Sequence, residues 1–214
     1  MPKFLSTHRR LAAVDTLLPP AAIQDGSRGV ILGESLRLFA ERGYGSASMR
    51  DIAQLVGIKA ASVYSHFPSK AHVLAELIRV GHEEHLRRMR AALMAAEPDP
   101  TTQLKAVVRA HVLAHADYPM LAVVANAELH ALPGEFAAPI LEIRRQSEML
   151  LVDVIQRGVD MGTFNVPDVQ LAMPAIGAMG LRVAHWYAPD LGKDPEHIAD
   201  TFAQFACRMV GVMT

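Results

Sequence analysis

Residues 46–70 read SASMRDIAQLVGIKAASVYSHFPSK, and this stretch decides the fold. Ser48 precedes an apolar-periodic run and Asp51 follows three residues later, the pattern of a serine N-cap whose oxygen accepts a free backbone N–H while the acid favours the positive helix end. A helix therefore starts at about Met49, with Ile52, Ala53, Leu55 and Val56 on its apolar face. Gly57 then supplies the left-handed backbone that turns the chain without a Cβ clash. A second helix is predicted from about Ala60 to His66 and stops at Phe67-Pro68, because the residue before proline is pushed out of the α region. Ala53 is small enough for the two helices to cross closely, with Ile58 and Val63 pointing into their shared core.

Two short helices around a glycine turn make a unit that enters the DNA major groove with its second helix. The side chains predicted to face outward there, Lys59, Ala60, Ala61, Ser62 and Ser65, are short or cationic and allow close approach to base edges. Tyr64, His66 and Lys70 bracket the helix end with donors suited to phosphate oxygens, which position a protein without reading sequence. Ser48 and Arg50 complete the set of candidate DNA contacts.

From Arg28 onward this region resembles the DNA-binding domain of TetR/AcrR-type transcriptional regulators. The likeness rests on Phe39-Ala40-Glu41-Arg42-Gly43-Tyr44 at the end of a first helix and on Val63-Tyr64-x-His66-Phe67-x-x-Lys70 after the recognition helix. It implies backbone phosphate contacts by Ser48, Tyr64, His66 and Lys70. Where the family commonly has Ser-Lys-Gly or Thr-Lys-Gly, this chain has Lys59-Ala60-Ala61, so operator sequence does not carry over from relatives.

Composition agrees with a regulator. The 214 residues are 51% hydrophobic, and a chain of this length buries about 70% of its unfolded surface in one or two domains. The net charge of −1 conceals a division: residues 1–70 hold nine Lys+Arg against five Asp+Glu, and residues 71–214 hold twelve against seventeen. The basic end is the end with the motif, as a DNA face requires, although ordinary variation between solvated surfaces also produces such a difference. One cysteine, Cys207, excludes an intramolecular disulfide framework, suits a reducing cytoplasm and is expected buried. No run has the roughly 18 apolar residues of a membrane span and no secretory leader is recognisable, so a cytoplasmic protein without membrane association is expected.

The whole chain reads as all-α, with about nine helices. Residues 1–26 contain Pro2, Pro19, Pro20 and Gly26 with Arg9 and Arg10 and are expected to form a flexible arm, either reaching into a minor groove or without a DNA role. A first helix covers Ser27–Arg42, and the helix-turn-helix domain spans 27–72. A long helix from near Ser69 to Ala95 links it to an effector-binding and dimerisation domain spanning 73–214. That domain is predicted to hold helices over Thr102–Ala116, Pro119–Ala131, Gly134–Met161, Asp168–Trp186 and Pro195–Met213, with breaks at proline and glycine.

The ninth helix carries Ile198, Phe202, Phe205, Ala206, Met209 and Val210 as one apolar stripe, and the eighth is apolar nearly all round. Such an eighth helix is covered either by a second subunit or by its own chain. Family resemblance implies a homodimer through helices eight and nine, and a recognition helix under two turns long also calls for a twofold dimer on a palindromic operator.

Small and flexible side chains in the body, interrupted by a few polar groups, fit an apolar effector cavity or plain core packing. Its candidate lining is His111, His115, Met120, Asn126, Arg144, Arg182 and Trp186. Between Glu128 and Leu191, the segments Gly158–Asp168 and Arg182–Leu191 resemble the ligand domain of the TetR subgroup that regulates lipid and steroid breakdown. This implies a hydrophobic small-molecule effector, such as an acyl-CoA. His111 and His115, four apart on one helix face, leave a metal-responsive regulator as the alternative, with Asp117 or His130 as third ligand; no metal site is assigned. His82-Glu83-Glu84-His85 reads as a solvated surface. Gly-rich phosphate loops and activated nucleophiles are missing, so neither an enzyme nor a bound cofactor is expected. The expected function is a ligand-released repressor working through the long linking helix, with activation rather than repression left open.

Overall fold

The prolines start helices more often than they stop them. In the computed structural model, which describes residues 15–23 and 26–212, Pro100, Pro119 and Pro195 each occupy the first turn of a helix, where a missing N–H costs nothing and the fixed φ suits the helix. Asp99 and Asp194 stand just before two of these prolines and accept backbone N–H groups from Thr102 and Glu196, at 2.8 and 3.1 Å. Asp168 does the same for Gln170 and Leu171. Pro100 thus opens a helix that the sequence reading began at Thr102.

Ten α-helices and no strand are found among the described residues: α1 (Pro20–Ile23), α2 (Ser27–Arg42), α3 (Met49–Val56), α4 (Ala60–His66), α5 (Lys70–Ala95), α6 (Pro100–Asp117), α7 (Pro119–Ala127), α8 (Gly134–Asp160), α9 (Val169–Trp186) and α10 (Pro195–Met209). The all-α expectation holds. Single 3₁₀ turns lie at Leu129–Ala131 and Pro189–Leu191, the first of them ending α7 four residues before the predicted Ala131. α10 ends at Met209 rather than Met213.

The structure corrects the reading of residues 1–26 as an arm. Its beginning, with Arg9 and Arg10, lies outside the described residues. Residues 15–23 are packed: α1 forms a helical turn, Leu18 and Ala22 are buried, and the Thr16 hydroxyl points at Met120 Sδ. Gly29 of α2 admits this segment, since a Cβ there would stand 3.2 Å from backbone atoms of Ala22 and Ile23.

Two cores organise the molecule. One joins α1–α4 to the first half of α5 and to α7, with Ile31, Leu36, Phe39, Ile52, Val63 and Leu121 among its buried members. The other joins α6, α8, α9 and α10 around Leu104, Val107, Ile155, Ile176, Val183 and Ala203. Helix α5 belongs to both, with Leu74 and Ile78 in the first and Met89 in the second. Because α7 packs on α2, the first core does not stop at residue 72. Cys207 is buried in the second core, and burial raises its thiol pKa.

Helix α9 is apolar on two sides, and only one is covered. Ala172, Ile176, Gly180, Val183 and Ala184 are buried, whereas Leu171, Ala175 and Ala178 are exposed. The predicted α10 stripe divides likewise: Ile198, Ala206 and Val210 are buried, while Phe205 and Met209 are each 40% exposed.

Candidate functional site

The helix-turn-helix is fixed by local hydrogen bonds. Ser48 caps α3: its backbone N–H donates to Asp51 Oδ2 at 2.8 Å, its hydroxyl donates to the same oxygen at 2.6 Å, and the Asp51 N–H donates back to Ser48 Oγ at 3.2 Å. The bonds to Ser48 hold the Asp51 carboxyl below its usual pKa. At the other end Gly57 has φ +76°, and the Ile58 N–H reaches back to the Ala53 carbonyl at 3.1 Å, closing the turn with a left-handed glycine. α4 is anchored by Val63 and by Phe67 just beyond it, both buried.

Arg28 clamps the far end of α4. Its Nη1 donates to the His66 carbonyl at 2.9 Å, its guanidinium lies 4.0 Å over the Phe67 ring, and Nη2 is 3.7 Å from Glu76 on α5. One side chain thereby ties α2, the recognition helix and α5 together, and a cation supports the negative C-terminal end of α4. No sequence motif marks this role.

Arg50, Lys59, Ala61, Ser62, Tyr64 and Ser65 are exposed and His66 is half-buried. Ala61, Ser62 and Ser65 share one face of α4, and the Ser65 hydroxyl donates to the Ser62 carbonyl at 2.7 Å. Two assignments change. Ala60 packs partly against the first core instead of facing outward. Lys70 is turned inward: its Nζ donates to the carbonyls of Tyr44 at 2.7 Å and Ala47 at 2.6 Å and lies 4.1 Å over the Tyr44 ring. An ammonium has three donors, and two of these are spent on stapling the loop between α2 and α3.

The body contains a cavity of about 270 Å³ walled by α5, α6, α7, α8 and α9. Of the residues predicted to line it, His111, His115, Asn126 and Arg144 do so. Met120, Arg182 and Trp186 do not. Met120 is buried in the first core, Arg182 is exposed, and Trp186 packs at the end of α9 with Tyr187 and Phe202. The exposed part of the wall carries Arg144, whose Nε donates to Glu148 Oε1 at 3.0 Å.

His82 and His85 also line the cavity, so the stretch 82–85 is not a solvated surface. Both continue the buried Leu74, Ile78 and Met89 stripe of α5, and this spacing was the available signal. Glu83 does face outward, paired with Arg79 at 2.5 Å. His82 Nε2 is buried without a hydrogen-bond partner, and burial, with Arg144 nearby, pushes its pKa down to about 4.

His85, His111 and His115 meet at one point of the cavity wall. The neighbouring rings are edge-on, with centroids 4.6–5.3 Å apart. His85 Nε2 and His111 Nδ1 are 2.8 Å apart, His111 Nε2 is 2.8 Å from the Gly177 carbonyl, and His115 Nδ1 is 2.7 Å from the His111 carbonyl. Burial lowers the pKa of all three, that of His115 to about 3, which keeps the imidazoles neutral at pH 7. Gly180 makes room for His111, since a Cβ there would lie 2.1 Å from His111 Cδ2. The third ligands expected from sequence are elsewhere: Asp117 pairs with Arg88, and His130 is exposed.

Two connections run from the cavity to the DNA-reading unit. The first is α5 itself, where Gly81 lets α7 approach so closely that a Cβ would stand 3.3 Å from Leu121. In the second, Glu128 follows α7 and its Oε1 accepts the Tyr44 N–H at 3.2 Å.

Comparison with known proteins bears on this architecture. The family model "Bacterial regulatory proteins, tetR family" matches residues 31–77, and "Tetracyclin repressor-like, C-terminal domain" matches residues 97–210. This chain belongs to the TetR family. Among curated relatives, the HTH-type transcriptional repressor KstR2 of Rhodococcus jostii is 30% identical over 176 residues, covering 80% of this chain and 86% of that one. A TetR-family regulatory protein from Rhodococcus RHA1 superposes with TM-score 0.82 at 30% identity, over 89% of this chain and all of the other. The ketosteroid transcriptional regulator KstR2 of Mycobacterium tuberculosis superposes with TM-score 0.80 at 25% identity, over 89% and 96%. The TetR matches fall on the two parts assembled above, the helix-turn-helix and the helical body, and these relatives are transcriptional regulators rather than enzymes. No helix among the described residues is long and apolar enough to cross a membrane.

Proposed function

We propose that this TetR-family chain is a repressor that binds a palindromic double-stranded operator as a homodimer and is released by a hydrophobic small molecule held in the body cavity. The observation that carries the reading is the attachment of both units to one helix: α5 begins beside the recognition helix, where Lys70 staples the loop between α2 and α3, and further along lines the cavity with Gly81, His82 and His85. A ligand preferring one tilt of α5 shifts the spacing of the two recognition helices by its difference in affinity for the two states.

On the DNA side, Lys59, Ala61, Ser62 and Ser65 face the bases while Ser48, Arg50, Tyr64 and His66 take phosphates. The dimer forms through α9 and α10, whose exposed Leu171, Ala175, Ala178, Phe205 and Met209 make an uncovered apolar face. For the effector we favour a compact apolar acyl or ring group with a polar or anionic handle, carried as a free acid or coenzyme A thioester. The ketosteroid regulator among the relatives supports that class. The cavity volume suits the apolar part alone, His82 Nε2 offers an uncommitted polar atom inside, and Arg144 offers a cation at the exposed wall.

Selection of bound duplexes from a random DNA pool tests the reading. A palindrome with half-sites about one helical turn, 10–10.5 bp, apart and bound by two chains is the expected result. Enrichment of sequences without dyad symmetry would overturn it. Effector affinity must also differ between free and operator-bound protein, and equal affinities would refute the coupling.

A further inference from the structure

We propose that His85, His111 and His115 form a binding site for a divalent d-block cation of the zinc type, with one coordination position open to the cavity. The geometry supports this at three levels. Three imidazoles on one tetrahedral zinc, with Zn–N near 2.05 Å, place their ring centroids about 5.2 Å apart and their ligating nitrogens about 3.3 Å apart. The three centroid separations are 5.0, 5.3 and 4.6 Å. His85 Nε2 and His111 Nδ1 are already 2.8 Å apart, and one ligand atom from each of the three residues lies within 4.8 Å of the others, so loading the site requires shifts of the rings toward the common spacing of about 3.3 Å.

The outer nitrogens of His111 and His115 are committed in the way ligating histidines need. A metal-bound imidazole ordinarily donates its remote N–H to a carbonyl or carboxylate, which fixes its tautomer and ring orientation. His111 donates from Nε2 to the Gly177 carbonyl and His115 from Nδ1 to the His111 carbonyl. These bonds leave the lone pairs on His111 Nδ1 and His115 Nε2. Without metal, His85 Nε2–H donates to His111 Nδ1; on loading, that proton moves to His85 Nδ1 and the Nε2 lone pair joins the other two.

The surroundings fit a cation held by neutral ligands. His111 and His115 lie one turn apart on α6 and His85 faces them from α5, so an ion would bridge two helices and, through the Gly177 carbonyl, a third. Three nitrogens leave a tetrahedral ion one vacancy for water or for an oxygen or sulfur donor of an effector. An all-nitrogen set selects zinc, copper or nickel over magnesium and calcium, which prefer oxygen. The site stands on these contacts alone and goes beyond the effector reading.

Full-length protein stripped with a chelator and titrated with zinc chloride against a chromophoric competitor tests the site without DNA, so its failure leaves the operator reading intact. One ion per chain is expected, with at least a 100-fold loss of affinity in His115→Ala and in His85→Ala and no loss in His130→Ala. Equal zinc affinity in wild type and both cavity variants would refute the site. A measurement on wild type keeps the test independent of variant folding. X-ray absorption of the one-ion protein should show three imidazole ligands and one lighter donor, and cobalt should give the intense visible bands of a four-coordinate ion. Fewer than three imidazoles, or a six-coordinate cobalt spectrum, would overturn the proposal.

Discussion

Replacing Lys70 with methionine separates a staple from a phosphate contact, because methionine keeps much of the apolar stem and removes only the ammonium. The ammonium donates to two carbonyls, Tyr44 and Ala47, and lies over the Tyr44 ring. Hydrogen bonds from a charged donor contribute about 1.5–3 kcal/mol each, and an exposed cation–π contact about 0.5–1. Lys70 is only half-buried, so water replaces part of what is lost, and a net destabilisation of about 2–3 kcal/mol follows. For a chain of this size each kcal/mol lowers Tm by about 2–4 °C, so calorimetry of Lys70→Met should show a drop of roughly 5–10 °C. Operator affinity should fall because the loop between α2 and α3 loosens. An unchanged Tm together with a salt slope reduced by about 0.9, the signature of one lost phosphate contact, would refute the staple and restore a free phosphate donor.

Gly57→Ala forces a side chain into φ +76° and should cost about 1–2 kcal/mol in urea denaturation, with weaker operator binding. Gly158→Ala places a Cβ 2.1 Å from the Phe164 ring, and the overpacking should cost about 1–3 kcal/mol without changing DNA contacts. The depressed Asp51 pKa implies stability that is fully present above its unfolded value of about 3.9 and lost as pH falls through the lower folded value. Acid denaturation of Ser48→Ala should therefore begin at higher pH than that of wild type. Glu128→Ala removes the Tyr44 N–H contact and should reduce the factor by which effector changes operator affinity, measured by anisotropy at fixed salt.

The helix-turn-helix was legible because its determinants are local: a serine cap, a left-handed glycine and a proline stop act within a few residues. The cavity was only half legible. Spacing put His111 and His115 on one face, but the third histidine comes from another helix, and the placement of His111 depends on Gly180 having no side chain. Sequence chemistry alone gave Lys70 a phosphate, since a lysine after a recognition helix carries no sign of two carbonyls folded back toward it. Trp186 has the chemistry of a cavity wall, yet the end of α9 turns it toward Phe202. Leu18 looked like part of an unstructured tail because Leu17-Leu18 runs straight into Pro19-Pro20 and sets up no helical or strand period.

Tyr44 is held on both edges of its backbone, with its N–H on Glu128 from the body and its carbonyl on Lys70 at the start of α5. Two grips at one residue make a pin joint: α5 can swing about this point but cannot slide freely past it. In the proposed dimer, a ligand pushing on α5 and α7 together would then rotate each recognition unit about one axis, making its reach along DNA a single adjustable angle.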